Sequence, residues 1–169
     1  MLDLRNHFIM PPLKTGYCDK EGNVTQRFID FYKRRAQFIG AVTPEPLCID
    51  RGLRELPPQV CISDDAKVAG LSEFVSEIHA AGSKVIAHIN HPGRMANPKL
   101  PGNYHVSSTD KPCENAGATP KRMDENDMNK AASLIANAAV RAEKAGFDMI
   151  ELQFGHGYLM AQFLSPMVN

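Results

Sequence analysis

Short apolar runs alternate with longer amphipathic stretches along this chain, and this alternation constrains the fold more than any other feature. An apolar run at 7–12 precedes an amphipathic stretch that begins at Thr25, a residue type that commonly caps helices. A second apolar run follows at 38–44. Repeated units of a strand and then a helix predict an α/β fold with a parallel sheet.

Two further units are marked more sharply. The sequence predicts a helix from about 63 to 81, followed at once by a strand at 84–90. It predicts another helix that begins after Asp124, ends at Gly146 and leads into a strand at 147–154. The chain therefore carries four predicted strands, and the helix after the last strand is absent or only begun.

Two architectures fit this pattern, an open doubly wound sheet and the first half of a closed barrel. No glycine-rich phosphate-binding turn follows the first strand. Polar residues cluster instead just after strands, at 14–15, 43–45, 88–94 and 153–158, and in a barrel these positions share the face that carries the chemistry. We predict the first half of a (β/α)8 TIM barrel, with four parallel strands and intervening helices, as one incomplete domain over 1–169.

Composition excludes several function classes. The 19 basic and 19 acidic residues cancel, so the basic surface of a nucleic-acid binder is not expected. No apolar run approaches the roughly 20 residues that cross a bilayer, and the amino terminus lacks the regions of a secretory signal. These features predict a cytoplasmic protein with no membrane partner.

Metal and disulfide sites are not predicted either. The four cysteines are scattered without a CxxC pair, which favours free thiols. His88 and His91 fall on opposite faces of a predicted strand and have no acidic or cysteine residue nearby in the sequence. We therefore expect no metal site there.

Several segments of the chain resemble the Old Yellow Enzyme, or NADH:flavin oxidoreductase, family of FMN-containing barrels. The last two segments are the most specific ones. The resemblance implies that FMN is reduced by NADH or NADPH and passes hydride to the β-carbon of an activated alkene or enoyl substrate. The segments are RNHFIMPPLKTG (5–16), DKEGNVTQRFIDFYKRRA (19–36), INHPGR (89–94) and AGFDMIELQFGHGYLMAQFLSP (145–166).

The resemblance also implies catalytic roles for three residues. His156 matches the family's hydrogen-bond donor to the substrate carbonyl oxygen, where negative charge develops. Tyr158 matches the acid that protonates the α-carbon, and a phenol with an ordinary pKa of roughly 10 is protonated at neutral pH. Gln153 stands where relatives often carry a second imidazole, and its amide can still donate. Gln153 and His156 face the same site only if the strand bends, for which Gly155 is the expected position.

Cofactor contacts follow from the same resemblance. His88 replaces a glutamine that bonds the pyrimidine edge of the flavin, and an imidazole can donate one hydrogen bond there. Lys14 adds a charge beside the isoalloxazine, with a solvated lysine as the alternative. The other matched positions are places where the family's main chain contacts the flavin. The implied cofactor-binding set is Pro12, Leu13, Lys14, Thr43, Glu45 and His88.

The incomplete barrel leaves open how such a site is finished. The family grips the flavin phosphate with loops after the last two barrel strands, which lie beyond the four strands predicted here. Three explanations remain: a fragment of a longer enzyme, a split enzyme completed by a second chain with the C-terminal half, and a homodimer of half-barrels. The isolated chain is expected to be inactive. The alternative function is a noncatalytic half-barrel assembly or interaction protein that has lost flavin chemistry.

Overall fold

A parallel sheet with helices packed on one face is the main feature of the fold. The computed structural model describes residues 3–115 and 117–169. Within these residues, three short 3-10 turns lie between the regular elements. The strands are β1 (Ile9–Met10), β2 (Ala41–Val42), β3 (Leu47–Cys48), β4 (Lys84–Asn90), β5 (Val106–Ser107), β6 (Lys121–Arg122) and β7 (Met149–Leu152). The α-helices are α1 (Gln26–Ala36), α2 (Val68–Ala80), α3 (Glu125–Ala145) and α4 (Leu159–Leu164).

Strand β4 is the centre of the sheet. Ile89 of β4 pairs in parallel with Leu47 of β3 and with Leu152 of β7, so these two strands lie on opposite edges of β4. Lower on the strand, β2 pairs with β4 and β1 pairs with β2, again in parallel. Strands β2 and β3 are thus two pieces of one barrel strand, interrupted at 43–46. The observed order agrees with the four predicted parallel strands.

The hydrophobic core lies between the sheet and helices α1, α2 and α3. On β4, Val85, Ala87 and Ile89 join this core together with aromatic residues such as Phe28 and Phe74. Because side chains alternate along a strand, His88 and its neighbours two positions away point to the other face, which is the interior side of a barrel. The interior side therefore carries the polar groups of the site.

Local capping explains where the helices begin and end. The Thr25 side chain accepts a hydrogen bond from the Phe28 backbone, and Asp124 forms a reciprocal capping box with Asp127. Gly146 ends α3 in the left-handed conformation, with φ of 90°. These starts and stops, and the strand at 84–90, were predicted and are confirmed.

Other predicted boundaries are wrong. The strands predicted at 7–12 and 38–44 are much shorter, because Pro11 and Pro12 follow β1 at once and have no N–H to donate to a ladder, and prolines also follow β2 closely. The strand predicted at 147–154 stops when the backbone enters the turn before α4. The helix predicted from about 63 begins with a 3-10 turn before α2. The short pairs made by β3, β5 and β6 were not predicted.

The sequence also led to predictions about the cysteines and about membrane-spanning segments. Cys18, Cys48, Cys61 and Cys113 are free, as predicted, and all four are buried. Across 3–115 and 117–169, no helix combines the length and the apolar character that crossing a bilayer requires.

Candidate functional site

The carboxyl ends of the parallel strands bring the predicted site residues to one edge of the sheet. Lys14 follows β1, the segment 43–46 separates β2 from β3, and His88 lies near the end of β4. Gln153 directly follows β7. Because parallel strands end on the same side, residues far apart in the sequence meet here, as they do in barrel enzymes.

One group of side chains at this edge surrounds the Tyr158 hydroxyl. Lys14 Nζ donates to Tyr158 Oη at 3.0 Å and to Glu55 Oε2 at 2.5 Å. Asn90 Nδ2 donates to the other oxygen of the same carboxylate, Glu55 Oε1, at 2.9 Å. The Glu55 side chain is only 4% exposed, whereas that of Lys14 is 34% exposed. We call Lys14, Glu55, Asn90 and Tyr158 the Tyr158 cluster.

Charges within the Tyr158 cluster hold both proton-bearing groups in their protonated forms. Burial and then the Glu55 carboxylate raise the pKa of Tyr158 above its ordinary value, with the Lys14 ammonium opposing them. Burial alone lowers the pKa of Lys14, but its ion pair with Glu55 and its hydrogen bonds outweigh burial, so the pKa of Lys14 is raised. At neutral pH the site therefore presents a phenol beside an ammonium.

A second group links the imidazoles of His88 and His156 through Gln153. The backbone N–H of Gly155 donates to Gln153 Oε1 at 2.8 Å, which turns the amide nitrogen toward the two rings. Gln153 Nε2 lies 3.2 Å from His156 Nδ1 and 3.5 Å from His88 Nε2. Since an amide nitrogen only donates, His156 Nδ1 is the acceptor and Nε2 carries the ring proton. His156 therefore offers a defined N–H donor on its outer side.

His88 has an acidic partner that the sequence does not reveal. Its Nδ1 lies 2.5 Å from Oε1 of Glu151, the residue opposite it on β7. The expectation that no acidic residue lies nearby is therefore wrong, because parallel pairing joins the two positions. Burial lowers the pKa of His88, with Glu151 opposing that shift. Within the part of the chain that the structure describes, no group of three or more His, Cys, Asp or Glu residues is arranged to hold a metal ion.

The backbone bend that brings Gln153 and His156 together does occur, with the left-handed residues at His156 and at Gly157, where a sharp turn before Tyr158 is expected, rather than at Gly155. His156 has φ of 57° and Gly157 has φ of 75°, whereas Gly155 is not in the left-handed region. A left-handed conformation is uncommon for a residue with a side chain and persists only where its surroundings enforce it. The turn places His156 on the exposed side and Tyr158 on the buried side.

Gln162 fixes this turn against the loop that follows β4. Its amide donates to the carbonyl oxygen of Gly157 at 2.7 Å and accepts from Ser107 Oγ at 2.8 Å. A Cβ placed on Gly93 would lie 2.3 Å from Gln162 Oε1, so this position requires glycine. The backbone N–H of Leu159 also donates to the carbonyl of His91 at 3.0 Å. The segments 89–94 and 145–166 are therefore one packed unit.

The predicted flavin contacts lie on both sides of these groups. Leu13 is 44% exposed beside Pro12 and presents apolar surface at the edge. Thr43 is fully buried, and its Oγ1, like Asn90 Oδ1, has no hydrogen-bond partner among the described residues. An apolar surface next to polar atoms that lack a hydrogen-bond partner fits a flavin ring, which has apolar faces and a polar pyrimidine edge.

Two of the predicted cofactor residues have roles that the sequence did not indicate. Glu45 is buried, and its carboxylate accepts from Thr15 N, Thr15 Oγ1, Gly16 N and Val60 N at 2.7, 2.6, 3.1 and 3.1 Å. Its side chain thus orders the turn after β1. Lys14 is partly exposed, as a solvated lysine would be, but its ammonium is also paired with Glu55, which the sequence did not indicate.

The sequence interpretation missed three members of the site. Asn90 lies two positions after His88 on the same face of β4, so the period of the strand could have indicated it. Glu55 lies in a proline-containing loop without any period, and Glu151 enters only through strand pairing. No local signal marks these two glutamates.

The sequence as a whole matches the NADH:flavin oxidoreductase / NADH oxidase family over residues 1–169. The chain belongs to this family. The match confirms the resemblance that the sequence segments indicated. The family and its members also support FMN as the cofactor and NADH or NADPH as the reductant.

Individual family members agree with this result over part of their length. The chain is 36% identical to the NADH oxidase of Thermoanaerobacter brockii, over 99% of this chain and 26% of that protein. It is 35% identical to the NADH:fumarate oxidoreductase of Klebsiella pneumoniae, over 99% of this chain and 18% of that protein. The chain spans only about a quarter or less of these relatives.

A solved family structure has the same fold. The Old Yellow Enzyme from Pichia sp. AKU4542 superimposes with a TM-score of 0.90 at 25% identity, over 99% of this chain and 47% of that one. The predicted barrel-type α/β fold is thereby confirmed for the part of the barrel that the chain represents.

Proposed function

We propose that this chain provides the substrate-activating part of an FMN-dependent NAD(P)H oxidoreductase of the ene-reductase type. Its substrate is a small activated alkene or an enoyl compound. The observation that carries the proposal is the pairing, at one edge of the sheet, of a buried protonated phenol on Tyr158 with an exposed N–H donor on His156. Alkene reduction needs both a donor at the carbonyl oxygen and an acid for the α-carbon.

We further propose that 1–169 is the N-terminal half of the barrel domain. In support, the sheet holds the equivalents of four barrel strands, and the chain corresponds to 47% of the Old Yellow Enzyme structure. A C-terminal half, on the same polypeptide or on a second chain, then supplies the remaining strands and the phosphate-binding loops. This arrangement also covers the open edges of β1 and β7, which pair on one side only among the described residues.

Each catalytic side chain has a separate task in the proposed reaction. FMN, when bound and reduced by NAD(P)H, supplies the hydride that adds to the β-carbon of the alkene. His156 Nε2–H donates to the substrate carbonyl oxygen and stabilises the negative charge that develops there. Tyr158 O–H gives its proton to the α-carbon, which completes the addition of two hydrogens. Gln153 acts through His156, whose ring tautomer it fixes.

The residues at the strand ends hold the flavin in this proposal. Pro12 and Leu13 provide apolar surface for the ring, and the segment that begins at Thr43 and the His88 imidazole provide polar contacts. Lys14 would lie beside the ring, and its ammonium is hydrogen-bonded to Tyr158. Glu45 contributes indirectly, because its carboxylate orders the turn that follows Lys14.

The assembly alternative has one specific observation in its favour. Ile150, Leu152 and Phe154 are 44%, 43% and 52% exposed, which leaves apolar surface on and beyond β7 for another segment to cover. Completion of a barrel covers the same side chains. The assembly role, however, requires neither the Tyr158 cluster nor a fixed His156 tautomer, so the enzyme proposal accounts for more of the structure.

Flavin binding tests the proposed function directly. FMN is titrated into the chain alone and into the chain co-expressed with the C-terminal barrel half of a family relative, while flavin absorbance and fluorescence are recorded. We expect binding by the combined halves, followed by NAD(P)H-dependent reduction of a cyclic enone. The control uses the C-terminal half alone. Absence of flavin binding in every combination contradicts the enzyme proposal, and a stable flavin-free oligomer of the chain then supports assembly.

A further inference from the structure

The Lys14 ammonium occupies a position that a purely structural ion pair does not need. It lies between the buried Glu55 carboxylate, at 2.5 Å, and the Tyr158 hydroxyl, at 3.0 Å. The Lys14 side chain is 34% exposed, whereas Tyr158 as a whole is 8% exposed. Solvent therefore reaches the ammonium more easily than the phenol. Among the described residues, Lys14 is the only cation that contacts the phenol, and it connects the phenol to solvent.

We propose that Lys14 returns a proton to Tyr158 after each turnover and that Glu55 holds Lys14 in place for this step. The inference rests on the proposed function, in which Tyr158 is the acid. It makes Lys14 and Glu55 positioning and relay residues, since neither needs to touch the substrate.

The relay consumes one proton from solvent in each turnover and needs no other reactant. When Tyr158 protonates the substrate, its O–H bond breaks and the electron pair stays on the phenolate oxygen. One N–H bond of the Lys14 ammonium then breaks, and that proton forms a new O–H bond on Tyr158. The neutral amine takes a proton from water or buffer, which restores the ammonium.

The surroundings of Tyr158 favour its reprotonation, and those of Lys14 hold the donor in place. Burial and Glu55 both raise the pKa of Tyr158, so a phenolate formed there takes back a proton readily. Asn90 fixes the other carboxylate oxygen of Glu55, at 2.9 Å, so the carboxylate does not rotate away from the ammonium. The Lys14–Glu55 pair is neutral overall and adds no net charge beside the reacting alkene.

The relay is tested by comparing single and repeated turnovers of the reconstituted flavoprotein. With Lys14→Met, the phenol begins protonated, so oxidation of prereduced flavin by an enone in a single turnover falls by no more than about threefold. Repeated turnover falls by about tenfold or more, because uncatalysed reprotonation becomes slow. Added methylammonium restores part of the repeated-turnover rate. Lys20→Met, at an exposed lysine outside the cluster, changes neither rate.

A second measurement needs no flavin. In the chain labelled with 13C at the tyrosine Cζ, the pKa of Tyr158 is followed by NMR, with the resonance assigned by Tyr158→Phe. Lys14→Met removes a cation that stabilises the phenolate, so the pKa of Tyr158 rises by about one unit, while Lys20→Met leaves it unchanged.

Each result bears on the proposal. Equal losses in single and repeated turnover, without amine rescue, overturn the relay and leave the proposed function intact. An unchanged pKa of Tyr158 in Lys14→Met overturns the contact on which the relay depends. A wild-type reconstituted protein that binds no flavin or reduces no enone overturns the proposed function and the relay with it.

Discussion

Two buried glutamates in the connection around β3, Glu45 and Glu55, have carboxylates that are satisfied by different kinds of hydrogen-bond donor. Glu45 is held by backbone N–H groups and by the Thr15 hydroxyl, all of them neutral donors. Glu55 is held by an ammonium and a side-chain amide. Each also lies near a tyrosine whose pKa is raised by burial and then by that glutamate, Tyr32 beside Glu45 and Tyr158 beside Glu55.

The difference in donors assigns one glutamate to structure and the other to chemistry. Backbone donors cannot move or release protons without disrupting the fold, so Glu45 orders the turn at Thr15. An ammonium on a flexible stem can move and can exchange protons, so the proposed relay assigns Glu55 the task of holding Lys14. A buried carboxylate is thus not by itself a sign of function, and the nature of its partners is more informative.

Substitution of Tyr158, the proposed acid that Lys14 and Glu55 serve, gives the largest expected loss of activity. Tyr158→Phe in the reconstituted flavoprotein lowers the rate of enone reduction by about 100-fold or more, because general acid catalysis is lost. Reduction of the flavin by NAD(P)H is unchanged. Stopped-flow absorbance resolves the two half-reactions, and Tyr17→Phe is the matched control. Equal losses in both half-reactions contradict the assignment of Tyr158.

Unfolding experiments distinguish the structural glutamate. Glu45→Gln replaces one acceptor oxygen with a donor amide in a pocket of N–H donors, which costs about 3 kcal/mol of unfolding free energy. Glu55→Gln keeps an acceptor for Lys14 or Asn90 and costs about 1 kcal/mol. Urea unfolding monitored by circular dichroism measures both. The reverse ranking contradicts the division of roles.

Burial of His91 makes the stability of the folded chain depend on pH. Burial lowers the pKa of His91 to about 4 in the folded chain. The unfolded imidazole, with a pKa of about 6.5, binds more protons between these values. The ionisation of His91 therefore leaves the free energy of unfolding unchanged above about pH 6.5. As the pH falls from there toward 4, the free energy of unfolding decreases by about 3 kcal/mol in total.

The check is a comparison with His91→Asn, which keeps a side-chain acceptor for the Gly93 N–H. The variant is expected to have a smaller slope of stability against pH between about pH 4 and 6.5, and the slope that remains includes the contribution of His88, whose pKa is also lowered by burial. An unchanged slope shows that other groups titrate there.

The smallest expected effect concerns the other side of the site. Gln153→Leu releases the His156 tautomer without removing the imidazole, so enone reduction falls by about tenfold. In the wild-type chain, 15N NMR is expected to show an unprotonated Nδ1 on His156, and in the variant a mixture of tautomers. A protonated Nδ1 in the wild type contradicts the hydrogen-bond direction that we infer.

Local signals explain how much of this the sequence could predict. The caps at Thr25 and Asp124 act within a few residues, and the strand at 84–90 follows a helix terminator directly and carries a short apolar run, so their boundaries were predicted correctly. Prolines near β1 and β2 limit the ladder in a way that an apolar run does not indicate.

The residues of the candidate site likewise divide into those that the sequence indicated and those that depend on contacts between distant positions. The family resemblance indicated Tyr158, His156 and Gln153, and the structure brings these residues together with Lys14 at one edge. Glu55 could not be predicted, because its role depends on contacts with residues distant in the sequence, at separations of 41 and 35 positions. The left-handed conformation of His156 likewise depends on packing around the turn rather than on its own residue type.

The pKa of Tyr158, measured by 13C NMR in the wild type, Glu55→Gln and Glu45→Gln, tests the division between the two glutamates most directly. Glu55→Gln removes a neighbouring negative charge, so we predict a fall of about one unit in the pKa of Tyr158. We predict that Glu45→Gln lowers the pKa of Tyr32 instead and leaves that of Tyr158 unchanged. A pKa of Tyr158 that responds equally to both substitutions, or to neither, contradicts the account.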